Sequence, residues 1–465
     1  MTTCRKTRTH GAIERFACDA ETRARSDAAA FPTPSPSGQR NVFEGTRALD
    51  SVRRVALIAY HSSPLAEPGS DDAGGMTVYV RELAAAYARL GVHTDIFTRA
   101  TGAEPLVSQL GQGVRVMTIE AGPRRPLPKE RLPEYNTDFV NGVRAFALSQ
   151  RADYDVVHSH YWQSGLAGTS LARAWGTPLV HSPHTLARVK NAHLPSGDGP
   201  EPITRLRGED EIIAYADALV ASTEQERCQL ACLYGASHDG VSTIHPGVNH
   251  ARFHPVDRAT ARRELGLPTS EAVVLSVGRI QPLKGLELAV RSLGELPAAV
   301  DKRVTLLVVG GPSGPAGKRE LRDLKNLIGE LGLGEHVRFE GVQPHDRLPA
   351  YYGAADVSVV CSHSESFGLT ALEAHACGTP VVATAVGGLS QIVKNGRSGW
   401  LVADRDPSRF AHRLGELLTD DRLQRRFSDA ALDAARSFSW ERTGTAVLEL
   451  YDSLVMDRLP DACTC

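Results

Sequence analysis

Along this chain the hydrophobic pattern starts late. Residues 1–52 have no apolar period, are rich in Arg, Ser, Thr, Pro and Ala, and contain "FPTPSPSGQ", which predicts a disordered or extended tail. Apolar positions then become nearly contiguous in Val52-Arg53-Arg54-Val55-Ala56-Leu57-Ile58-Ala59-Tyr60, the pattern of a strand buried on both faces of a parallel sheet. A loop with Pro64, Pro68 and Gly69 follows. In "DDAGGMTVYVRELAAAYARLG", Val78, Leu83, Ala86, Tyr87 and Leu90 fall at helical spacing and Gly91 stops the helix. Further strands are predicted at 93–98, 115–119, 155–159, 177–182 and 218–222, with helical patterns between several of them.

"HPGVN" at 245–249 reads as a hinge, after which the alternation restarts. Strands are predicted near 273–278, 304–309, 336–340, 357–361, 380–385 and 399–402, and helices over 285–294, 318–332, 346–354, 368–377 and 407–418. A last helix, 440–456, is long enough to cross back to the first domain, and the final "PDACTC" reads as loose. The expected organisation is a tail (1–52), two domains (53–244 and 245–438), a returning helix (439–457) and a loose end (458–465). Alternating strands and helices predict an α/β protein of two Rossmann-like, doubly wound domains facing a central cleft. Ligands bind such sheets at their carboxyl edges.

The 465 residues suit two cores of about 200 residues each. A net charge of −2 gives no reason to expect nucleic acid or an anionic membrane as partner, so any anion site has to be a local cluster of cations. No apolar run approaches the roughly 18 residues of a membrane span, and no apolar core follows the N-terminal charges as in a secretory signal. Cys228 and Cys232 share a helix face without a second ligand pair nearby. They read as free thiols of a reduced, cytoplasmic protein.

Four segments carry possible chemistry. In "SVGRIQPLKG" (276–285) Arg279 and Lys284 follow a strand and can converge on one anion; two solvated surface cations would look the same. In "SHSESFGLTALEAHACGTP" (362–380) Glu365 precedes a helix start at which Gly368 permits close approach, and Glu373 lies within the helix. These carboxylates can hold sugar or ribose hydroxyls, or can simply favour the helix N-terminus. Gly74-Gly75 open the first helix and can pack a diphosphate against it. Neither they nor "GGPSGPAG" (310–317), which reads as a strand-ending turn, has the spacing of a dinucleotide fingerprint, so a dehydrogenase has little support. His158, His160, His181 and His184 raise the question of zinc, but no Glu or Cys stands beside them at a familiar spacing. A hydrogen-bonding role at the cleft edge fits them better.

Together these segments resemble the retaining glycosyltransferases of family 4, which have the GT-B fold. Arg279, Lys284 and the Glu365-x7-Glu373 spacing match that family's donor motif. "SSPLAEPGSDDAGGMTVYV", "IFTRAT", "VHSHYWQSG", "HTLARVKNAHLPSGDGPEP" and "VGRIQPLK" resemble its mycothiol-pathway branch, the D-inositol-3-phosphate glycosyltransferases, over roughly 52–455. The resemblance implies transfer of N-acetylglucosamine from UDP-N-acetylglucosamine to 1D-myo-inositol 3-phosphate with retention. It makes the first domain the acceptor domain and the second the nucleotide-sugar domain. It implies a catalytic set of Arg279, Lys284, Glu365 and His184, the last near the sugar C6 hydroxyl. The Gly75 N–H, Arg279 and Lys284 would hold the diphosphate, Glu365 sugar hydroxyls, Glu373 the ribose, and Gln343 would lie beside the base. Lys129, Tyr161, Thr185 and Arg205 would meet the acceptor phosphate. No cofactor is required on this reading, with Mg2+ at most associated with the donor diphosphate, and a homodimer is allowed.

The sequence departs from that branch at Thr77, beside the acceptor ring, where Asn is usual; at Thr169; and around Gln343, where "FEGVQPH" replaces "FxPP". The alternative is therefore a paralogue of antibiotic biosynthesis. A lincosamide-pathway transferase of this kind joins a GDP-activated sugar to the sulfur of ergothioneine, whose carboxylate suits the same cations. A non-catalytic sugar-nucleotide binder is a third possibility that a turnover assay separates.

Overall fold

The computed structural model describes residues 51–70, 73–194 and 199–458. The expected tail up to residue 50, Cys4, Cys18 and the C-terminal "PDACTC" lie outside the described residues. Two sheets follow one another within the compact unit that starts at Leu49. The first is built from β1 (Arg54–Ile58), β2 (His93–Arg99), β3 (Val107–Gly111), β4 (Val114–Ile119), β5 (Val156–His160), β6 (Leu179–Ser182), β7 (Ala218–Ala221) and β8 (Val241–Thr243), in the order β3-β4-β2-β1-β5-β6-β7-β8. The second is built from β9 (Ala272–Val277), β10 (Val304–Val309), β11 (Val337–Gly341), β12 (Val357–Val360), β13 (Val381–Thr384) and β14 (Gly399–Val402), in the order β11-β10-β9-β12-β13-β14. Each predicted strand appears within two residues of its expected bounds at either end. All described pairings are parallel except β3 against β4.

The contiguous apolar runs have a simple cause. In β1, Val55 and Leu57 enter one core with Val78, Leu83 and Tyr87 of the helix Gly75–Arg89. Ala56 and Ile58 enter another on the opposite face, with Phe139, Val143 and Leu171. In β9, Val273 and Leu275 face one core and Ala272 and Val274 the other. Successive side chains alternate across a strand, so helices on both faces require every position to be apolar.

The helix Trp440–Met456 packs on the first sheet's core, burying Trp440, Val447, Leu448 and Tyr451 beside Val55 and Leu57. The linker passes under its start. A Cβ on Gly247 would lie 2.2 Å from the Trp440 backbone nitrogen, and Thr443 donates to the His245 carbonyl at 2.8 Å.

Candidate active site

Loops from the carboxyl ends of both sheets line a cavity of about 470 Å³. The first domain contributes the start of the helix Gly75–Arg89. Gly74 is its N-cap and lines the cavity with Gly75 and Met76, which brings the N–H groups of a first helical turn to the cleft. The second domain contributes the helix Leu369–Ala376, entered through Gly368 at φ +105°, a backbone state that favours glycine. The two helix starts approach each other: a Cβ on Gly75 would sit 3.5 Å from Leu369 Cδ1. Both are partial positive poles directed at one space.

The donor-motif residues meet here. Arg279 follows β9, donates to Ser313 Oγ at 3.1 Å and reaches across the cleft, so that a Cβ on Gly74 would lie 3.2 Å from its Nε. Lys284 ends a 3-10 turn and pairs with Glu365 Oε2 at 2.7 Å, and Ser362 Oγ adds a 3.3 Å contact. The Glu365 carbonyl accepts the Gly388 N–H at 3.1 Å, an approach that Gly387 at φ +53° permits, since a Cβ there would lie 1.6 Å from that carbonyl oxygen. Glu373 is 5% exposed and lines the cavity. Its Oε1 takes His345 Nε2 at 3.0 Å and its Oε2 the Tyr352 hydroxyl at 3.1 Å. Burial raises the Tyr352 pKa well above its usual value, so the phenol stays a donor. Gln343 lines the same wall, donating to the Glu340 carbonyl at 2.7 Å.

On the opposite wall stand Lys129, Tyr161, Thr185 and Arg205. Tyr161 (φ +74°) and His184 (φ +60°) are two of the three described non-glycine residues at positive φ. Each follows a strand of the first sheet, where strained backbone marks a functional edge. The guanidinium of Arg205 lies 4.8 Å from the Tyr161 ring centre and donates to Thr185 Oγ1 at 3.0 Å.

One expected ligand has its charge already shared, and one expectation needs correcting. Arg205 is not an uncommitted cation. It is buried, paired with Glu209 at 2.7 Å and Glu201 at 2.9 Å, so a net positive charge on this wall has to come chiefly from Lys129. Thr77 does not stand on the cavity wall: it is fully buried and its hydroxyl is 2.9 Å from Ser62 Oγ. Being shorter than Asn, it is satisfied by the neighbouring loop.

The histidines form a buried hydrogen-bonded layer behind this edge. His158 joins the Tyr451 hydroxyl and Ser182 Oγ (2.9 Å), His181 joins Ser159 Oγ at 2.9 Å, and His160 Nδ1 meets His184 Nε2 at 3.0 Å. Burial holds His181 and His184 down at about 3 and drives His158 and His160 well below the usual value. Among the described residues no group of three or more His, Cys, Asp or Glu is arranged to hold a metal ion. Cys228 and Cys232 are exposed free thiols.

Four residues near the cleft escaped the sequence reading. His61 lines it, and burial and then Lys129 lower its pKa to about 3. Glu226 also lines it, raised to about 7 by burial while accepting the Ser222 N–H at 2.6 Å. The capping-box spacing Thr223-x-x-Glu226 was a readable signal for the latter. Glu67 and His345 left no local signal, since their contact joins residues 278 apart.

Residues 74–247 match the family described as glycosyl transferase 4-like domain, and 257–433 the glycosyl transferases group 1. The chain is 47% identical over 410 residues to D-inositol 3-phosphate glycosyltransferase 2 of Catenulispora acidiphila, covering 87% of this chain and 96% of that one. The chain belongs to the group 1 glycosyltransferases. The D-inositol 3-phosphate glycosyltransferase of Acidothermus cellulolyticus is likewise 47% identical to this glycosyltransferase, over 91% of this chain and 96% of that one. Among solved structures, sucrose-phosphate synthase of Thermosynechococcus elongatus superposes with a TM-score of 0.81 at 35% identity, covering 87% of this chain and all of that one. Anabaena HepE, solved with UDP-glucose, shares the fold at a TM-score of 0.69 and 21% identity, covering 86% of this chain and 99% of that one. The two Rossmann-like domains of this glycosyltransferase are thus those of the GT-B fold. No helix among its described residues is long and apolar enough to cross a membrane.

Proposed function

We propose that this enzyme transfers N-acetylglucosamine from UDP-N-acetylglucosamine to 1D-myo-inositol 3-phosphate with retention at the anomeric carbon. The observation that carries this reading is the convergence on one cavity of Arg279, Lys284, Glu365, Glu373 and two helix starts, opposite Lys129, Tyr161 and Thr185. The relatives that are D-inositol 3-phosphate glycosyltransferases support the same acceptor. On this reading Arg279, Lys284 and the Gly75 N–H groups hold the diphosphate, Glu365 orients the sugar, Glu373 takes the ribose, and Gln343 lies beside the base. His184 faces the sugar, and the acceptor phosphate lies against Lys129, Tyr161, Thr185 and Arg205. Glu365 is ion-paired with Lys284 and Glu373 is held by His345 and Tyr352, partners that mark neither glutamate as the acid or base of a glycosidase carboxylate pair. We therefore assign front-face substitution: the leaving diphosphate accepts the acceptor's proton while Arg279 and Lys284 stabilise its growing charge. Those cations take the place of a tightly bound metal.

A second reading is favoured by Thr77, which offers no amide to an inositol ring and is bonded to Ser62. It is transfer of a GDP-activated sugar to the sulfur of ergothioneine. One mass-spectrometric panel decides, crossing UDP- and GDP-sugars with inositol phosphate and small thiols or thiones, in excess chelator. Product from UDP-N-acetylglucosamine and inositol phosphate is expected; product only from a GDP-sugar with a thione replaces the first reading by the second. Lys284→Ala should lower turnover at least about 100-fold, the scale of losing one charge-stabilising group. Near-normal turnover in that folded variant would remove Lys284 from the mechanism.

A further inference from the structure

His345 stands where three polar contacts from three parts of the chain meet. It opens a 3-10 turn, His345–Arg347, and is only 5% exposed. Its backbone N–H donates to Glu67 Oε1 at 2.7 Å. Glu67 belongs to the first domain, in the loop between β1 and the helix Gly75–Arg89, and a Cβ added to nearby Gly69 would lie 3.9 Å from Val342 Cγ1. The His345 ring lies between Arg252 Nη1, at 3.4 Å from Nδ1, and Glu373 Oε1, at 3.0 Å from Nε2. An arginine can only donate, so Nδ1 is the acceptor and Nε2–H donates to Glu373. Arg252, just after the linker, also pairs with Glu82 of the first domain at 2.7 Å, and Asn249 supports Glu82 at 3.2 Å.

The consequence is directional. His345 and Tyr352 take one oxygen each of the buried Glu373 carboxylate, fixing the plane in which its remaining lone pairs face the cavity. Two of the groups that hold His345, Glu67 directly and Glu82 through Arg252, come from the other domain. We propose that His345 is a positioning residue that ties closure of the cleft to the nucleotide grip: its ring orients Glu373, and Glu67 clamps its backbone only when the domains are closed. The proposal rests on the reading that Glu373 meets the ribose.

The test is calorimetric titration of the full chain with UDP and with GDP, using the tighter of the two thereafter. Glu373→Gln tests the underlying reading and should weaken binding. His345→Ala should raise Kd about tenfold, the scale of a hydrogen bond to a charged group, and His345→Gln, which keeps an N–H near the Nε2 position, should recover most of the loss. Glu67→Ala, at an exposed position, should raise Kd about threefold without changing the melting temperature. It should have no effect in the His345→Ala background, because both act through Glu373. Glu67→Gln retains an acceptor and should bind like the parent. If neither nucleotide binds, or Glu373→Gln binds normally, the ribose reading fails. If Glu373→Gln weakens binding but His345→Ala does not, the positioning role alone is overturned. Should the His345 variants fail to fold, the Glu67 pair decides, since equal binding by Glu67→Ala and the parent overturns the clamp.

Discussion

At the scale of single residues, the cleft is governed by which polar atoms already have partners. His160 Nδ1 and His184 Nε2 share one hydrogen bond, and His160 Nε2 is buried without a partner. If His184 donated, the His160 proton would sit on that orphaned Nε2. A buried unpaired N–H is rarer than an under-used acceptor. His160 Nδ1–H is therefore the donor, and His184 carries its own proton on Nδ1 and can donate from there. The depressed pKa values keep both rings neutral and preserve this tautomer. Nitrogen-15 chemical shifts of histidine-labelled protein, assigned with His184→Gln, should show a protonated Nδ1 and a bare Nε2 at His184. The reverse pattern would leave His184 as an acceptor towards substrate. None of this was legible in the sequence, which placed His158 and His160 on one strand and His181 and His184 in the segment "HSPHT" that ends another, but could not give their register. The neutralisation of Arg205 was equally hidden, because an arginine named as an anion ligand and one already compensated by Glu201 and Glu209 read alike.

Among elements, the sharpest constraint is the start of the helix Gly75–Arg89. Gly74, at φ −155° and ψ −144°, is not in the left-handed region. What alanine meets is Arg279: its Cβ would lie 3.2 Å from Nε, closer than such contacts settle, and the guanidinium must give way by a few tenths of an ångström. Gly74→Ala should keep the melting temperature within about 2 °C, since little buried surface changes. It should cut turnover about tenfold, because a small displacement of a charge-stabilising group costs catalysis. A large fall in melting temperature would instead make Gly74 a folding glycine. Elements were the part of the fold most readily read from sequence, because strands buried on both faces must be continuously apolar. Those that escaped lack that signature. β3 alternates exposed and half-buried positions at the sheet edge, β8 has three residues, and the helix Asp421–Ala435 is largely polar with only a narrow buried stripe at Gln424, Phe427, Ala431 and Ala435.

Over the whole molecule, the histidine layer ties acid stability to the assembly of the first domain. His158, His160 and His181 are at most 2% exposed, and Tyr451 of the returning helix is hydrogen-bonded to both His158 and Tyr87. Their folded pKa values lie well below the unfolded value of 6.5. Between that value and the lower folded ones, the unfolded chain binds more protons, so stability rises with pH and is lost as pH falls below about 6.5. Each such histidine contributes up to about 1.4 kcal/mol per pH unit. Glu226 acts in the opposite sense: its pKa is raised from 4.5 to about 7. Its protonated form is favoured in the fold, so it loses stability as pH rises from about 4.5 to 7 and regains it as pH falls. These three histidines against that glutamate leave a loss of roughly 2–3 kcal/mol between pH 6 and pH 5, and the lowered His61, His184 and His375 act in the same sense. That is a large share of a typical stability of about 5–15 kcal/mol. Urea unfolding followed by circular dichroism should show the midpoint falling steeply over that unit, with at least about two protons taken up on unfolding. A flat midpoint would mean that these histidines become charged without breaking the layer, and that Tyr451 holds the returning helix in place independently of them.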